Sequence, residues 1–223
     1  MRRHTQKDFA DAFVELVERT QKCNISVVDL AKETGFSRKT FYRNFDDIDD
    51  LVIWNFRDSM RRIVEERFEE AVWVRPHPDL NDKYASWPFY ARIVNEEGEL
   101  DQGKYFEQAA AHFERHPCYY RIVFRQKSGG YHDFQQYLRR LFTYAIGEDI
   151  VAMAKGRAID PRHVKFLAEY HAAGIAGRLE QFICERGAVM SEESAPHWNY
   201  SHMCIKRDLE TYYFSCPEAL RRG

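Results

Sequence analysis

Cysteine is sparse in this chain: there are five in 223 residues, an odd number at irregular spacing. That argues against a disulfide framework and for free thiols in a reducing compartment. Long apolar runs are missing too. No uncharged stretch reaches the ~18 residues that cross a bilayer, so no membrane partner is expected. The opening Met1-Arg2-Arg3-His4-Thr5-Gln6 has no apolar run behind it. A secretory signal is therefore not expected, and a cytoplasmic location is. Seven Pro and eleven Gly are too few for a long disordered tail. Charge of one sign is lacking as well: 33 basic against 35 acidic residues give a formal net charge of −2. Any nucleic acid would have to be met by a local patch, not by bulk charge. No nucleophile elbow, phosphate loop or Cys-x-x-Cys occurs, so an enzyme is not expected.

What is present in quantity is apolar: 44% of residues are hydrophobic and 15% aromatic. That implies a bulky core and allows an aromatic pocket. The length suits one large domain or a small head and a larger body. The stretch from Ser26 to Phe45 gives the head its form. Ser26 is placed to cap a helix start with its hydroxyl. Leu30 and Ala31 supply the apolar face of that helix. Gly35 tolerates the left-handed backbone that ends it. Ser37 then caps a second helix carrying Arg38, Lys39, Thr40, Tyr42 and Arg43 outward. Phe41 and Phe45, four apart, point inward. This is a helix-turn-helix, whose second helix fits a DNA major groove.

Ser26-x3-Leu30-Ala31-x3-Gly35-x-Ser37-x2-Thr40-Phe41-Tyr42-x2-Phe45, followed by Leu51, resembles the DNA-binding head of TetR-type transcriptional regulators. Beyond residue 60 the resemblance is one of architecture. It implies an all-α protein: a three-helix head over residues 1–46 and a ligand-binding and dimerisation domain over 47–223. It implies DNA contacts by Thr40 and Tyr42. By their chemistry Ser26, Ser37, Arg38, Lys39 and Arg43 join that set, with Arg2 and Arg3 on a mobile N-terminal arm. Residues 1–50 hold nine basic and ten acidic side chains, yet from Gly35 to Phe45 there are three cations and no acid. One departure stands out. Where the family carries a Lys after Phe45, this chain has Ile48 within Asp46-Asp47-Ile48-Asp49-Asp50. The acids suit a helix start but repel phosphate, which opens an alternative: a dimeric ligand- or partner-binding co-regulator with little operator affinity.

The first helix is expected from Thr5 to Arg19, and a linking helix from 47 to 72. Residues 74–103, broken by Pro76, Pro78 and Pro88, read as a loop with a short helix around Trp87–Val94. Helical spacing resumes at Lys104–Pro117, Cys118–Arg125, His132–Met153, Pro161–Arg186 and Ala195–Phe214. The resemblance implies that the last two helices of each chain form a four-helix homodimer interface. Leu167, His171, Gly174, Leu179, Phe182, Ile205, Leu209 and Tyr212 are the candidates. Such a dimer sets two recognition helices ~34 Å apart on a palindromic operator of double-stranded DNA. An unidentified small-molecule effector is expected in the body, beside Phe106, Phe113, Tyr120, Phe142 and Tyr170. His112, His116 and Cys118 have metal-like spacing, but Pro117 ends the helix before Cys118. His197, His202 and Cys204 form a looser set. No metal or other cofactor is expected.

Overall fold

A computed structural model describes residues 2–22, 24–77, 82–125, 132–186 and 191–215. The chain runs through α1 (Arg2–Thr20), α2 (Val27–Thr34), α3 (Arg38–Tyr42) and α4 (Ile48–Arg67). Two strands follow, β1 (Val72–Val74) and β2 (Tyr90–Arg92). Then come α5 (Gly103–Arg115), α6 (Pro117–Arg125), α7 (His132–Met153), α8 (Pro161–Gln181) and α9 (Ser191–Arg207). The π-helical segments Phe182–Arg186 and Asp208–Tyr213 continue α8 and α9. The class is all-α, as the sequence implied, with one small sheet.

Aromatic rings hold the head together. Phe9, Phe13 and Val17 recur every four residues of α1 and are fully buried. The Phe9 ring lies 5.4 Å from both Phe36 and Phe41. Phe41 meets Phe45 at 5.4 Å, and Phe45 meets Trp54 of α4 at 5.9 Å. The α3 segment is thus clamped to α1 on one side and to α4 on the other. α1 begins at Arg2, so residues 2–4 form its first turn and not an arm. Neither Gly nor Pro interrupts the chain between Arg2 and Thr20. The side chains of Arg2 and Arg3 lie outside the described residues.

α4 stops at Arg67, short of the expected residue 72. The Phe68 carbonyl accepts from the Trp73 indole at 2.8 Å, which turns the chain back. Val72–Val74 then pairs antiparallel with Tyr90–Arg92, in register Val72↔Arg92, Trp73↔Ala91 and Val74↔Tyr90. The helix expected around Trp87–Val94 is therefore a strand. Its ladder satisfies the backbone while Tyr90 and Ala91 are both buried, and β-branched and aromatic residues favour that arrangement.

Arg57 pins this segment to the body. It is wholly buried, and its Nη1 donates to Asp82 Oδ2 at 2.7 Å and to Tyr137 Oη at 2.6 Å. Its Nη2 donates to the carbonyls of Tyr84 at 3.0 Å and Trp87 at 2.6 Å. One guanidinium therefore ties α4, residues 82–87 and α7. A second, smaller core of Ile146, Ile150, Leu167, Ala168, Ala172, Ile205 and Leu209 joins α7, α8 and α9. Ala168 is the nearest side chain to Gly147, so small residues let α7 and α8 run close.

Candidate functional site

α2 and α3 are fixed at both ends by their own side chains. Ser26 Oγ accepts from Asp29 N at 3.2 Å, and Asp29 Oδ2 accepts from Ser26 N at 3.0 Å, a reciprocal capping box. Ser26 Oγ also donates to Asp29 Oδ2, so its hydroxyl serves the cap. Gly35 sits at φ 72°, the left-handed geometry its position demands. Ser37 Oγ accepts from Thr40 N at 3.1 Å and lies 2.9 Å from Thr40 Oγ1. Asn44, buried and unremarked in the sequence, donates from Nδ2 to the Thr40 carbonyl at 2.7 Å and closes the segment. Phe41 and Phe45 are buried as expected. Ser37, Arg38, Lys39, Tyr42 and Arg43 are exposed and Thr40 partly so. All of the proposed contact residues of α3 therefore share the molecule's outer face, with cations and hydroxyls interleaved.

The acids beyond Phe45 are not left to face that surface bare. Lys83 Nζ lies 2.5 Å from Asp50 Oδ2 and 3.1 Å from Asp46 Oδ2. Tyr84 Oη donates to Asp50 Oδ1 at 2.5 Å. Burial alone would lower the Lys83 ammonium pKa, but its bonds and attraction to Asp50 and Asp46 outweigh that and raise it. Burial and the Asp50 carboxylate push the Tyr84 hydroxyl up, so it stays a donor. Ile48, in place of the family's Lys, is half-buried and packs against the main core. Sequence reading missed Lys83 because it lies 33 residues from Asp50, in a segment without helical periodicity.

The fold is that of a known regulator. The chain is similar to the solved structure of the dihydroxyacetone kinase operon activator DhaS, with a TM-score of 0.59. The match covers 91% of this chain and 96% of that one, at 18% sequence identity. Likeness at that identity establishes the fold. No protein-family model and no curated protein matches the chain.

Within this shared fold the body encloses a cavity. Phe56 and Met60 of α4, Phe89 and Tyr90 beside the sheet, and Phe106 and Phe113 of α5 line it, with Phe142 of α7, Leu179 of α8 and His202 of α9. Its volume is about 40 Å³, far below the ~300–1,000 Å³ typical of ligand pockets. Of the expected pocket residues, Phe106, Phe113 and Phe142 line it. Tyr120 is buried elsewhere, hydrogen-bonded to His112 Nε2. Tyr170 is 67% exposed on the outer side of α8, stacked on Phe166. The aromatic spacing of α8 could not tell its inner side from its outer one. Two of the lining residues, Tyr90 and His202, meet Asp149, which is fully buried and lies outside the lining. Asp149 accepts from Tyr90 Oη at 2.5 Å and Arg92 Nε at 2.9 Å, and His202 Nε2 lies 3.0 Å away. Burial, then the Asp149 charge, raises the Tyr90 hydroxyl pKa, so Tyr90 is the donor. Tyr90, Arg92 and Asp149 carried no sequence signal, because a fold brings them together.

The outer face of α8 and α9 is apolar and open. Phe166, Tyr170, Tyr200, Met203 and Tyr212 are each more than half exposed. A groove of about 840 Å³ runs between Phe166, Tyr170 and Tyr200, bordered by His171 and Gly174 and floored by Leu167, Leu179 and Phe182, with Met203 and Tyr212 outside its lining. Ile205 and Leu209 are turned the other way, at 0% and 1% exposure, into the core with α7. Those two belong to the chain's own packing and not to an outward face. α9 also begins at Ser191, earlier than the expected Ala195. Among the described residues no three His, Cys, Asp or Glu side chains converge as metal ligands, and no helix is long and apolar enough to cross a membrane. His197 has its side chain outside the described residues.

Proposed function

We propose that this chain is a ligand-responsive, DNA-binding regulator of transcription of TetR type, acting as a homodimer on a palindromic operator. The observation that carries this is the outer face of α3. Arg38, Lys39, Tyr42 and Arg43 stand exposed on a segment that buried phenylalanines lock to α1 and α4. Arginine and lysine meet phosphate or guanine edges, and the Thr40 and Tyr42 hydroxyls meet phosphate oxygens. The engagement of Asp46 and Asp50 by Lys83 supports operator binding over the partner-only alternative, since it offsets negative charge beside the recognition helix. The exposed apolar face of α8 and α9 supports the dimer, because patches of this kind mark association surfaces.

The test is titration of labelled duplexes from the gene's own promoter region at several salt concentrations. Sequence-selective binding with a slope of roughly −0.9 per neutralised phosphate is expected. Flat, featureless binding at low salt would favour the partner-binding reading. The family resemblance implies repression, whereas the structurally similar DhaS is named an activator. A reporter behind the bound promoter, with and without the chain, reads the sense directly. The effector acts through the body: ~1–3 kcal/mol of coupling changes operator affinity about 5- to 150-fold.

A further inference from the structure

The apolar groove of α8 and α9 takes in one histidine. His171 stands half-buried on α8 and lines the groove beside Leu167, Tyr170 and Gly174. Its Nδ1 lies 2.6 Å from the hydroxyl of Ser201 on α9, which is itself buried. That contact fixes the ring and leaves Nε2 as the nitrogen available to whatever covers the groove. Titratable and charged groups face His171 from each packed element. Tyr170 of α8 meets the ring edge to face at 5.4 Å. His202, the neighbour of Ser201 on α9, is buried and turned to Asp149 of α7, with its Nε2 3.0 Å from Oδ2. Asp208 of the π-helical segment lines the groove too, but its Oδ2 lies 2.9 Å from His163 Nε2. Arg178 of α8 also borders the groove, held over the Phe182 ring. Tyr200 and Cys204 of α9 complete the titratable lining.

Covering the groove changes what a proton on His171 costs. In the open chain, partial burial and then the charge of His202 lower the His171 pKa, while Asp208 works against them. Once the groove is closed, a protonated ring would be a cation cut off from water, with an Nε2–H still to be satisfied. A two-fold interface sets the same lining residues on both sides. Among the described lining residues Asp208 is the one carboxylate, and it is already engaged by His163. Arg178 adds a further positive charge to the same groove. Nothing in the lining therefore offsets a charge on His171. We propose that two copies close over the groove of α8 and α9 only with His171 uncharged, so that dimerisation expels a proton from each protonated chain and acidification separates the pair. This rests on the reading of the chain as a homodimer and names what regulates that association. With two histidines per dimer, the dissociation constant rises by up to about 100-fold per pH unit once His171 is protonated in the single chain.

Sedimentation velocity of the full chain between pH 8 and pH 5.5, at one ionic strength, reads the linkage. The dimer dissociation constant is expected to rise about tenfold or more across that range. Far-ultraviolet circular dichroism on the same samples should stay constant, which separates dissociation from acid unfolding. His171→Gln keeps a hydrogen-bonding group for Ser201 and does not titrate. It is expected to dimerise with one constant at every pH, and His171→Asn should do the same. Dilution calorimetry on the parent near pH 6, in two buffers of different ionisation heat, counts the protons directly and needs no variant. Proton uptake on dissociation is expected. A parent that dimerises equally at both ends of the range, or more tightly in acid, would overturn the proposal. So would a pH dependence that both variants retain, or dissociation without proton uptake. A parent that is monomeric at pH 8 is a different failure: it would remove the dimer reading, and this inference with it.

Discussion

At the scale of single residues, the chemistry is decided by burial. His112 sits among Phe56, Phe113 and Tyr120, with its Nε2 bonded to the Tyr120 hydroxyl. Burial, helped by His116, Arg115 and Arg62, lowers its pKa to about 3. In the unfolded chain the imidazole takes up a proton near pH 6.5; in the folded protein it does so only near 3. The folded state is favoured above pH 6.5 and loses that advantage as pH falls from about 6.5 toward 3, by about 1.4 kcal/mol per pH unit at most. His112→Gln, which preserves a partner for Tyr120 without titrating, should therefore move the acid-unfolding midpoint to lower pH, read by far-ultraviolet circular dichroism. On the outer side of α3, Tyr42→Phe and Thr40→Val each remove one hydroxyl from an exposed or half-exposed site. Each should weaken operator binding by roughly 1 kcal/mol, about fivefold, with helicity and Tm unchanged. Anisotropy and thermal melts on the same samples check this.

Elements come next, and here the segment between α4 and α5 matters most. It contributes the strands, the Lys83 and Tyr84 bonds to the start of α4, and three of the four partners of Arg57. Arg57→Ala removes the cation paired with Asp82, which keeps only the Tyr137 hydroxyl and Tyr84 N–H as donors, and strips two carbonyls of their donor; it should cost about 3–5 kcal/mol in urea unfolding. Lys83→Met acts differently. Its ion pairs are partly solvent-exposed, so stability should change by less than about 1 kcal/mol. The freed charge on Asp46 and Asp50, close to the recognition segment, should lower operator affinity several-fold at low salt. The deficit should shrink near 1 M salt, where screening shortens to about 3 Å. A salt series on both proteins separates this from a general loss of fold.

For the whole molecule, the proposed dimer can be tested on the open face of α8. Gly174 lies in the open groove of α8, and a side chain added there meets nothing within 4 Å of its own chain. Gly174→Arg should thus leave the single chain folded and its helix better formed, yet place a charge in the apolar face. The parent is expected to sediment as a dimer at micromolar concentration, the variant as a monomer, with operator affinity falling at least a hundredfold as the second half-site is lost. Sedimentation velocity and operator titration report the two effects independently.

Local interactions made the head legible in the sequence. Ser26, Asp29, Gly35 and Ser37 act on neighbours within a few residues, and Phe41 and Phe45 pair across one helical turn, so spacing alone carried their roles. The same holds for the long helices of the body, although their ends shifted where Trp73 reached back to Phe68. What spacing could not carry was the sharing of space between distant residues. Lys83 on Asp50, Arg57 on Asp82 and Tyr137, and Tyr90, Arg92 and His202 around Asp149 join segments 25 to 80 residues apart. Which side of α8 and α9 faces inward was equally undetermined: both sides are apolar, and only packing against α7 buried Ile205 and Leu209 while leaving Tyr170 outside. Helix, cap and turn follow from short-range sterics and hydrogen bonding, whereas burial, charge pairing and the shape of a cavity arise only when the chain closes on itself.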